Sequence, residues 1–191
     1  MFNNWISLIT TECCVIVFED GSVVYPIFKN GQSSLFNYAK EKKLKILKNK
    51  EISKLKTINI FLRDPIQRFV SGVHTVIELE KIKNINLYLK NIEEFKTYNR
   101  HFVPQFYWLM HLLKYFKGNV KLLSVDQLYN LIPNRDGPKI KKISNLRKKK
   151  ILSINNKKYV EIDYKLMENY LEKTINLETI IKEFKNEMPT T

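Results

Sequence analysis

A chain of 191 residues with 44% hydrophobic and 12% aromatic residues can bury a core, which excludes a disordered protein and predicts a single domain over residues 1–191. Its 33 Lys and Arg side chains outnumber 19 Asp and Glu side chains, and the resulting formal charge of +14 favours a polyanionic or phosphorylated partner. The only two cysteines, Cys13 and Cys14, are adjacent, which excludes a disulfide framework or a four-ligand metal site.

The N-terminal residues do not resemble a targeting segment. Residues 1–18 lack the basic leader of a signal peptide, and Glu12 interrupts their apolar part. No run approaches the roughly 18 apolar residues that a membrane-spanning helix needs. The sequence therefore predicts a cytoplasmic protein without membrane contact. Only five of the cations are arginine, and lysine is abundant throughout, so nucleic acid is not the expected partner.

The first predicted elements are two strands and a helix. Apolar runs at 13–18 and 22–28 flank Asp20-Gly21 and predict a β-hairpin. A helix is predicted over 33–43, directly after a turn. A strand that ends in a glycine turn and opens a helix directs free N–H groups and the positive end of the helix dipole at one spot. The segment Lys29-Asn30-Gly31-Gln32-Ser33-Ser34 therefore predicts a site for phosphate or sulfate, formed by the charge of Lys29, the close approach at Gly31 and the hydroxyls of Ser33 and Ser34.

The order of these residues differs from the P-loop of nucleotide hydrolases, in which the lysine follows the last glycine. Here Lys29 precedes Gly31, and no acidic residue at the end of a later strand is obviously placed to share a metal ion. ATP hydrolysis is therefore disfavoured, and no metal is predicted. An ordinary strand-to-helix connection with an exposed lysine remains the alternative interpretation of the stretch.

A lysine-rich connection, predicted to be solvated, leads to an apolar run at 57–62 that predicts a buried strand. Asp64 and Pro65 then predict a helix start, because Asp is a preferred cap and Pro a preferred first residue. Helical spacing predicts a buried face of Ile66, Phe69, Val70, Val73, Val76 and Ile77. The polar face comprises Gln67, Arg68, Ser71, His74, Thr75 and Glu78.

Two motifs together resemble the sulfotransferases that use 3′-phosphoadenosine-5′-phosphosulfate, in particular their carbohydrate branch. The first is the stretch from Lys29 to Ser34, and the second is Arg63-Asp64-Pro65 with Ser71 eight residues after Arg63. The resemblance implies that the first motif binds the 5′-phosphosulfate, through Lys29, Gly31, Gln32, Ser33 and Ser34. It also implies that Arg63 and Ser71 bind the 3′-phosphate. The implied fold is one α/β domain with a P-loop-like, mainly parallel central sheet flanked by helices.

A third segment, His101-Phe102-Val103-Pro104-Gln105, precedes an aromatic helix that is predicted to run to Lys117. A similar segment lies near the active centre in the same branch. A neutral histidine can take the proton of an acceptor hydroxyl, so His101 is the preferred base. A histidine that caps the helix begun by Pro104 is the alternative role. Other candidate bases are His74, Glu12 and Glu78, whereas His111 is expected to pack in the helix.

The C-terminal part of the chain adds weaker signals. Residues 118–128 predict a strand followed by a helix, with Asp126 as a possible cap. The loop at 138–145 resembles a loop near the bound nucleotide, and the basic run 147–150 is expected to be solvated. Residues 160–166 begin the terminal helices, with Asp163 as the expected N-cap. The resemblance therefore extends over most of the chain.

The predicted function is sulfuryl transfer from 3′-phosphoadenosine-5′-phosphosulfate to a hydroxyl acceptor, most plausibly a carbohydrate, without a metal ion. In this scheme Lys29 stabilises the leaving phosphate. The chain lacks the transmembrane segment and longer acceptor-binding insertions of the membrane-anchored members, which leaves the acceptor open. Two alternatives are a nucleotide-dependent kinase and a non-catalytic binder of polyanions or nucleic acid.

Overall fold

The computed structural model describes residues 7–9, 12–94, 96–132, 145–153 and 157–187. Six strands in these ranges form one sheet, in the spatial order β3-β1-β2-β4-β5-β6. Their bounds are β1 (Cys14–Val17), β2 (Val23–Tyr25), β3 (Lys45–Lys48), β4 (Thr57–Leu62), β5 (Asn119–Ser124) and β6 (Thr174–Asn176). The predicted hairpin is confirmed, since β1 and β2 pair antiparallel around the turn at Asp20-Gly21.

Helices cover the sheet and connect its strands. They are α1 (Gln32–Glu41), α2 (Pro65–Leu79), α3 (Ile85–Glu93), α4 (Gln105–Leu113), α5 (Val125–Leu131), α6 (Asn145–Ser153), α7 (Lys157–Tyr170) and α8 (Leu177–Glu187). The helices predicted at 33–43 and from Pro65 are confirmed to within two residues. None of the helices in the described ranges is both long and apolar enough to cross a membrane.

The sheet is mixed rather than mainly parallel. Strands β2, β4 and β5 are parallel neighbours, whereas β1 is antiparallel to β2 and β3, and β6 is antiparallel to β5. Connection length explains the β1–β2 pair, because a tight turn can join only antiparallel strands, whereas parallel neighbours need a crossover. The prediction of a mainly parallel sheet therefore holds only for the three central strands.

Alternate strand residues enter two hydrophobic clusters, as the period of two along a strand requires. Val23 and Tyr25 belong to the larger cluster, which also contains residues of α2, α4, α7 and α8. Val24 belongs to a smaller cluster with Leu35 of α1 and Leu128 of α5. The two clusters mark the two covered faces of the sheet.

The lysine-rich connection was predicted to be solvated, which is only partly correct. Its residues form the edge strand β3 and a 3-10 helix, Asn49–Lys54. Leu47 and Ile52 are buried, while Lys45 and Lys48 are exposed. Charged residues on the outer side of an edge strand discourage pairing with another chain. Strand β3 was not predicted, because it contains few apolar residues among many lysines. Helix α3 was likewise not predicted.

Three predicted helix caps have different outcomes. Asp64 caps α2, because its carboxylate accepts a hydrogen bond from the Gln67 N–H at 2.7 Å. Helix α5 is capped by Ser124 rather than by Asp126, which lies in the first turn of the helix. Asp163 lies inside α7 and is not its N-cap. The predicted loop at 138–145 lies outside the described residues except for Asn145, which begins α6.

Candidate functional site

The carboxyl ends of β2, β4 and β5 meet at one edge of the sheet, because these strands are parallel neighbours. Residues 26–31, here called the lysine loop, connect β2 to α1 at this edge. Arg63 and Asp64 follow β4 and lead into α2. Open α/β sheets commonly bind ligands at this edge, so the first two predicted motifs lie where a ligand is expected.

Two residues of the lysine loop have a left-handed backbone. Lys29 has a φ of 69° and Gly31 has a φ of 83°. Gly31 precedes the first residue of α1, and no side chain caps that helix. The first N–H groups of a helix lack intrahelical partners, and the helix dipole adds a partial positive charge there. A left-handed lysine indicates that tertiary contacts hold the loop in shape.

Two arginines hold consecutive carbonyl groups of the lysine loop. Arg63 donates from Nη1 to the carbonyl of Lys29 at 3.3 Å, and Arg68 donates from Nε to the carbonyl of Phe28 at 3.2 Å. The ammonium group of Lys29 donates in turn to the hydroxyl of Thr75 in α2 at 2.5 Å. The motif at 29–34 therefore lies in direct contact with the motif that begins at Arg63.

Gln105, fully buried at the start of α4, joins the lysine loop to the end of β4. Its Oε1 accepts hydrogen bonds from Asn30 Nδ2 at 2.5 Å and from the N–H of Arg63 at 2.9 Å. Its Nε2 donates to the carbonyl of Arg63 at 2.9 Å. Asn30 is buried as well and also donates to the carbonyl of Phe61. The Asn30 side chain was predicted to bind the sulfate-donor nucleotide. In the structure it supports the lysine loop from inside.

Asp163 supports the same region from α7. Its carboxylate accepts hydrogen bonds from the N–H groups of Gln105 at 2.7 Å and Phe106 at 2.9 Å, so it caps α4 instead of its own helix. Burial raises the pKa of Asp163, while the nearby Arg68 and the two N–H groups oppose that rise. A cap on a distant helix leaves no local sequence signal, which explains the error.

Arg68 and His74 were predicted on the polar face of α2, but both are buried, with 2% and 7% of their surfaces exposed. The face that carries Arg68 receives the lysine loop, and periodicity alone cannot reveal such a covering segment. Burial lowers the pKa of Arg68 to about 10, and Asp163 opposes this shift. Arg68 is thus a charged residue of the site that sequence reasoning placed on the surface.

His101 lies beside the lysine loop and is half-buried. Its ring contacts the ring of Phe28 edge-on, with centroids 5.6 Å apart. Burial, and then the positive charges of Lys29, Arg100 and Arg68, lower the pKa of His101 to about 4. The imidazole is therefore neutral at neutral pH and can accept a proton.

A close backbone contact fixes the segment that carries His101. A Cβ at Gly72 of α2 would lie 2.3 Å from the carbonyl oxygen of His101, so only glycine allows this approach. Beside His101 a cleft of about 320 Å³ opens, and its lining includes Tyr98, Asn99 and Arg100. An aromatic ring and several hydrogen-bonding groups thus line a space next to the candidate base.

The remaining predicted hydroxyls have fewer contacts. Ser71 is partly buried, and its Oγ forms no hydrogen bond to another residue in the described part of the chain. It lies in α2 between Arg68 and Thr75, about one turn from each. Gln32, Ser33 and Ser34 form the first turn of α1, where Ser33 is exposed. The structure shows no direct hydrogen bond between Arg63 and Ser71.

The other candidate bases have partners away from the lysine loop. Glu12 pairs with Lys48 at 2.7 Å, and Glu78 pairs with Arg147 of α6. His74 Nε2 lies 3.5 Å from Nη1 of the same arginine. Arg147 therefore has side-chain partners, although the basic run that contains it was predicted to be solvated. His101 is the candidate whose pKa responds to Lys29.

His111 packs in the core, as expected. It is 3% exposed, and its Nδ1 lies 3.2 Å from the hydroxyl of Tyr25. Among the described residues, no group of three or more His, Cys, Asp or Glu side chains is arranged to hold a metal ion. No protein-family model, curated protein or solved structure matches this chain.

Proposed function

We propose that this chain is a sulfotransferase that moves a sulfuryl group from 3′-phosphoadenosine-5′-phosphosulfate to a hydroxyl group, preferably of a carbohydrate. One observation carries the proposal: Arg63 donates a hydrogen bond to the carbonyl of Lys29. This contact unites the two segments that resemble the donor-binding motifs of sulfotransferases. The finer fold assignment that accompanies the proposal is a P-loop-like unit of β2, lysine loop and α1.

The residues at this edge suit a nucleotide with an anionic group at each of two positions, 3′ and 5′. Lys29 and the start of α1, with Gln32, Ser33 and Ser34, would bind the 5′-phosphosulfate end, because no side chain occupies the N-cap of α1. Arg63, just after β4, would bind the 3′-phosphate together with Ser71. Guanidinium groups suit phosphate because two N–H groups can donate to it at once.

The donor supplies an activated bond between sulfur and a phosphate oxygen. The acceptor oxygen would form a new bond to sulfur while that bond breaks and its electron pair stays on the phosphate. His101 would take the hydroxyl proton, because it is neutral and adjoins the cleft lined by Tyr98 and Asn99. Lys29 and the N–H groups of α1 would stabilise the leaving phosphate. The scheme uses no metal ion.

The low pKa of His101 links donor binding to catalysis. At a pKa of about 4 the imidazole accepts a proton only weakly, because burial, and then the charges of Lys29 and its arginine neighbours, oppose the cationic form. Phosphosulfate bound by Lys29 would offset part of this repulsion and raise the pKa of His101 towards the working pH. The base would thus become effective when donor is bound.

A thermal melt at fixed ionic strength tests the proposal. Adenosine 3′,5′-bisphosphate at about 100 times its dissociation constant should stabilise the wild-type protein by roughly 2.7 kcal/mol. Arg63→Ala should lose this stabilisation. Arg147→Ala should keep it, because Arg147 pairs with Glu78 away from the lysine loop.

The same melt separates the proposal from its rivals. Stabilisation by ATP with magnesium, but not by the bisphosphate, would favour a kinase instead. A polyanion binder should respond to many anions and lose affinity steeply as salt increases. The absence of any shift with the bisphosphate would contradict the sulfotransferase proposal.

A further inference from the structure

Arg68 is a buried cation to which the donor scheme assigns no role. Its Nε donates to the carbonyl of Phe28, but its Nη2 is buried and has no hydrogen-bond partner among the described residues. A buried, charged N–H group without an acceptor costs free energy. An oxyanion would supply the missing acceptor through a charge-assisted hydrogen bond.

The neighbours of Arg68 on α2 are suited to the same ligand. Positions 68, 71 and 75 follow the i, i+3, i+7 spacing and therefore share one face of the helix. The lysine loop crosses this face, since the carbonyl of Phe28 contacts Arg68 and the ammonium of Lys29 reaches Thr75. Ser71 lies between these two contacts, with a hydroxyl that has no side-chain partner in the described ranges.

The local charges also favour an anion. Arg63 and Asp163 are the charged groups that act on Arg68, and Arg63 is itself positive. Both oxygens of the Asp163 carboxylate already accept backbone hydrogen bonds at the start of α4. Lys29 and Arg100 add further positive charge around His101. Among the described groups that act on Arg68 and His101, the positive charges therefore outnumber the one carboxylate, Asp163.

We propose that Arg68 and Ser71 form a binding subsite for a tetrahedral oxyanion, and that this oxyanion is the 3′-phosphate that Arg63 also contacts. The inference rests on the proposed function and adds a buried guanidinium to its donor site. Lys29 would leave Thr75 for the phosphosulfate end of the donor. In this proposal that movement gives the phosphate access to Ser71 and to Nη2 of Arg68.

The alternative is that Arg68 has a purely structural role. Arg68 would then only hold the carbonyl of Phe28 and offset Asp163. Arg68→Lys keeps a positive charge near Asp163 but cannot present two N–H edges at once. Arg147→Lys is the matched control, because it makes the same chemical change at an arginine that pairs with Glu78.

Calorimetric titrations with two nucleotides test the subsite. Adenosine 3′,5′-bisphosphate carries the 3′-phosphate, and adenosine 5′-phosphosulfate lacks it. Arg68→Lys and Ser71→Ala should each weaken the bisphosphate by about tenfold, as loss of a charge-assisted hydrogen bond predicts, and change the phosphosulfate by less than about twofold. Equal weakening of both nucleotides, or of neither, would overturn the subsite. Arg147→Lys should bind both like the wild type.

A second measurement tests the subsite even if a variant folds poorly or the proposed function is wrong. The ¹⁵N guanidinium signals of Arg68 can be followed in the wild-type protein during titration with inorganic sulfate. A saturable shift that is weaker in Ser71→Ala supports the oxyanion subsite. If the wild type also fails to bind the bisphosphate, the sulfotransferase proposal and the assignment to the 3′-phosphate fail, and the oxyanion subsite remains. Unchanged Arg68 signals with both sulfate and bisphosphate would refute the subsite.

Discussion

Two turns at the ends of strands look alike in sequence but are held in different ways. The hairpin turn after β1 and the lysine loop after β2 each contain a glycine with a φ near 80°. In the hairpin turn all the hydrogen bonds are local: Phe18 N–H to the carbonyl of Ser22, Gly21 N–H to the carbonyl of Phe18, and Ser22 N–H to Asp20 Oδ1. The hairpin turn is therefore nearly complete by itself.

The lysine loop depends on residues far away in the chain. Arg63, Arg68 and Gln105 bind its backbone or side chains, and Lys29 reaches across to Thr75. The loop nevertheless leaves α1 without a side-chain cap. The hairpin turn, whose hydrogen bonds are all local, serves the fold. The lysine loop is fixed by distant residues, which keeps the N–H donors at the start of α1 available for a ligand. The following changes should separate the two cases.

The largest effect is expected for Gln105→Leu. The change removes the side-chain partners of Asn30 and of both backbone groups of Arg63, all of which lie at least partly buried. Unsatisfied buried groups should lower the free energy of unfolding by about 3 kcal/mol in urea titrations. Gln127→Leu, at an exposed hydrogen bond with Glu172, should change it by less than about 0.5 kcal/mol. Equal losses would show that the loop needs no such support.

The two glycines should differ when each is replaced by alanine. Gly21→Ala strains a left-handed residue in open space and should cost about 1 kcal/mol. Gly31→Ala adds a Cβ 2.5 Å from Leu128 Cδ2, so the side chain of Leu128 must also shift. Its cost should reach about 2 kcal/mol, with weaker bisphosphate binding. Thermal melts with and without ligand measure both effects, and identical behaviour would contradict the comparison.

The sequence predicted those parts whose determinants are local. Asp20-Gly21 specified the hairpin, Asp64-Pro65 specified the start of α2, and helical spacing identified most of its core face. The stretch from Lys29 to Ser34 was correctly placed between a strand and a helix. Local patterns give such results because each depends on neighbouring residues.

The errors concern residues whose partners are distant in the chain. Arg68 is polar and follows the spacing of an exposed residue, yet the lysine loop covers it. Asp163 has the chemistry of a cap, yet it caps α4 from α7. Gln105 gave no sign that its amide would pair with both Asn30 and Arg63. These contacts depend on tertiary structure, which periodicity does not contain.

Lys29→Met should separate binding from folding. The ammonium of Lys29 bonds to the part-buried hydroxyl of Thr75, which also donates to the carbonyl of Ser71, so loss of the ammonium should change the free energy of unfolding by less than about 1 kcal/mol. Affinity for adenosine 5′-phosphosulfate should fall by about tenfold or more, because a charged donor is lost. Lys48→Met, at the exposed pair with Glu12, should leave affinity unchanged. Calorimetry measures both variants, and full affinity in Lys29→Met would remove the lysine from the donor site.

The smallest effect is a dependence on pH that distinguishes two histidines. His101 and His111 both have a pKa of about 4, below the ordinary value of 6.5. Between these pH values the unfolded chain binds protons that the folded protein does not, so stability falls as pH decreases from 6.5 towards 4. His111→Phe should reduce this loss at pH 5 by roughly 1 kcal/mol, as measured by urea unfolding.

Bound nucleotide should affect only the histidine beside the lysine loop. The bisphosphate should raise the pKa of His101 by about 1, because phosphate offsets the positive charge of Lys29 and Arg68. The pKa of His111 should stay where it is, since burial and Lys114 lower it and neither Lys29 nor Arg68 contributes. Titration of the ring protons by NMR follows both residues. Equal shifts would indicate a general change in the fold, and no shift at His101 would contradict its place in the site.

The most direct test of the central claim is a titration of adenosine 3′,5′-bisphosphate into three proteins: wild type, Arg63→Gln and Gly21→Ala. If the lysine loop and the β4–α2 segment form one nucleotide site, the wild type binds one molecule without magnesium. Arg63→Gln should then bind at least about tenfold more weakly, while Gly21→Ala binds like the wild type. Failure of the wild type to bind, or equal affinity of Arg63→Gln, would contradict the account.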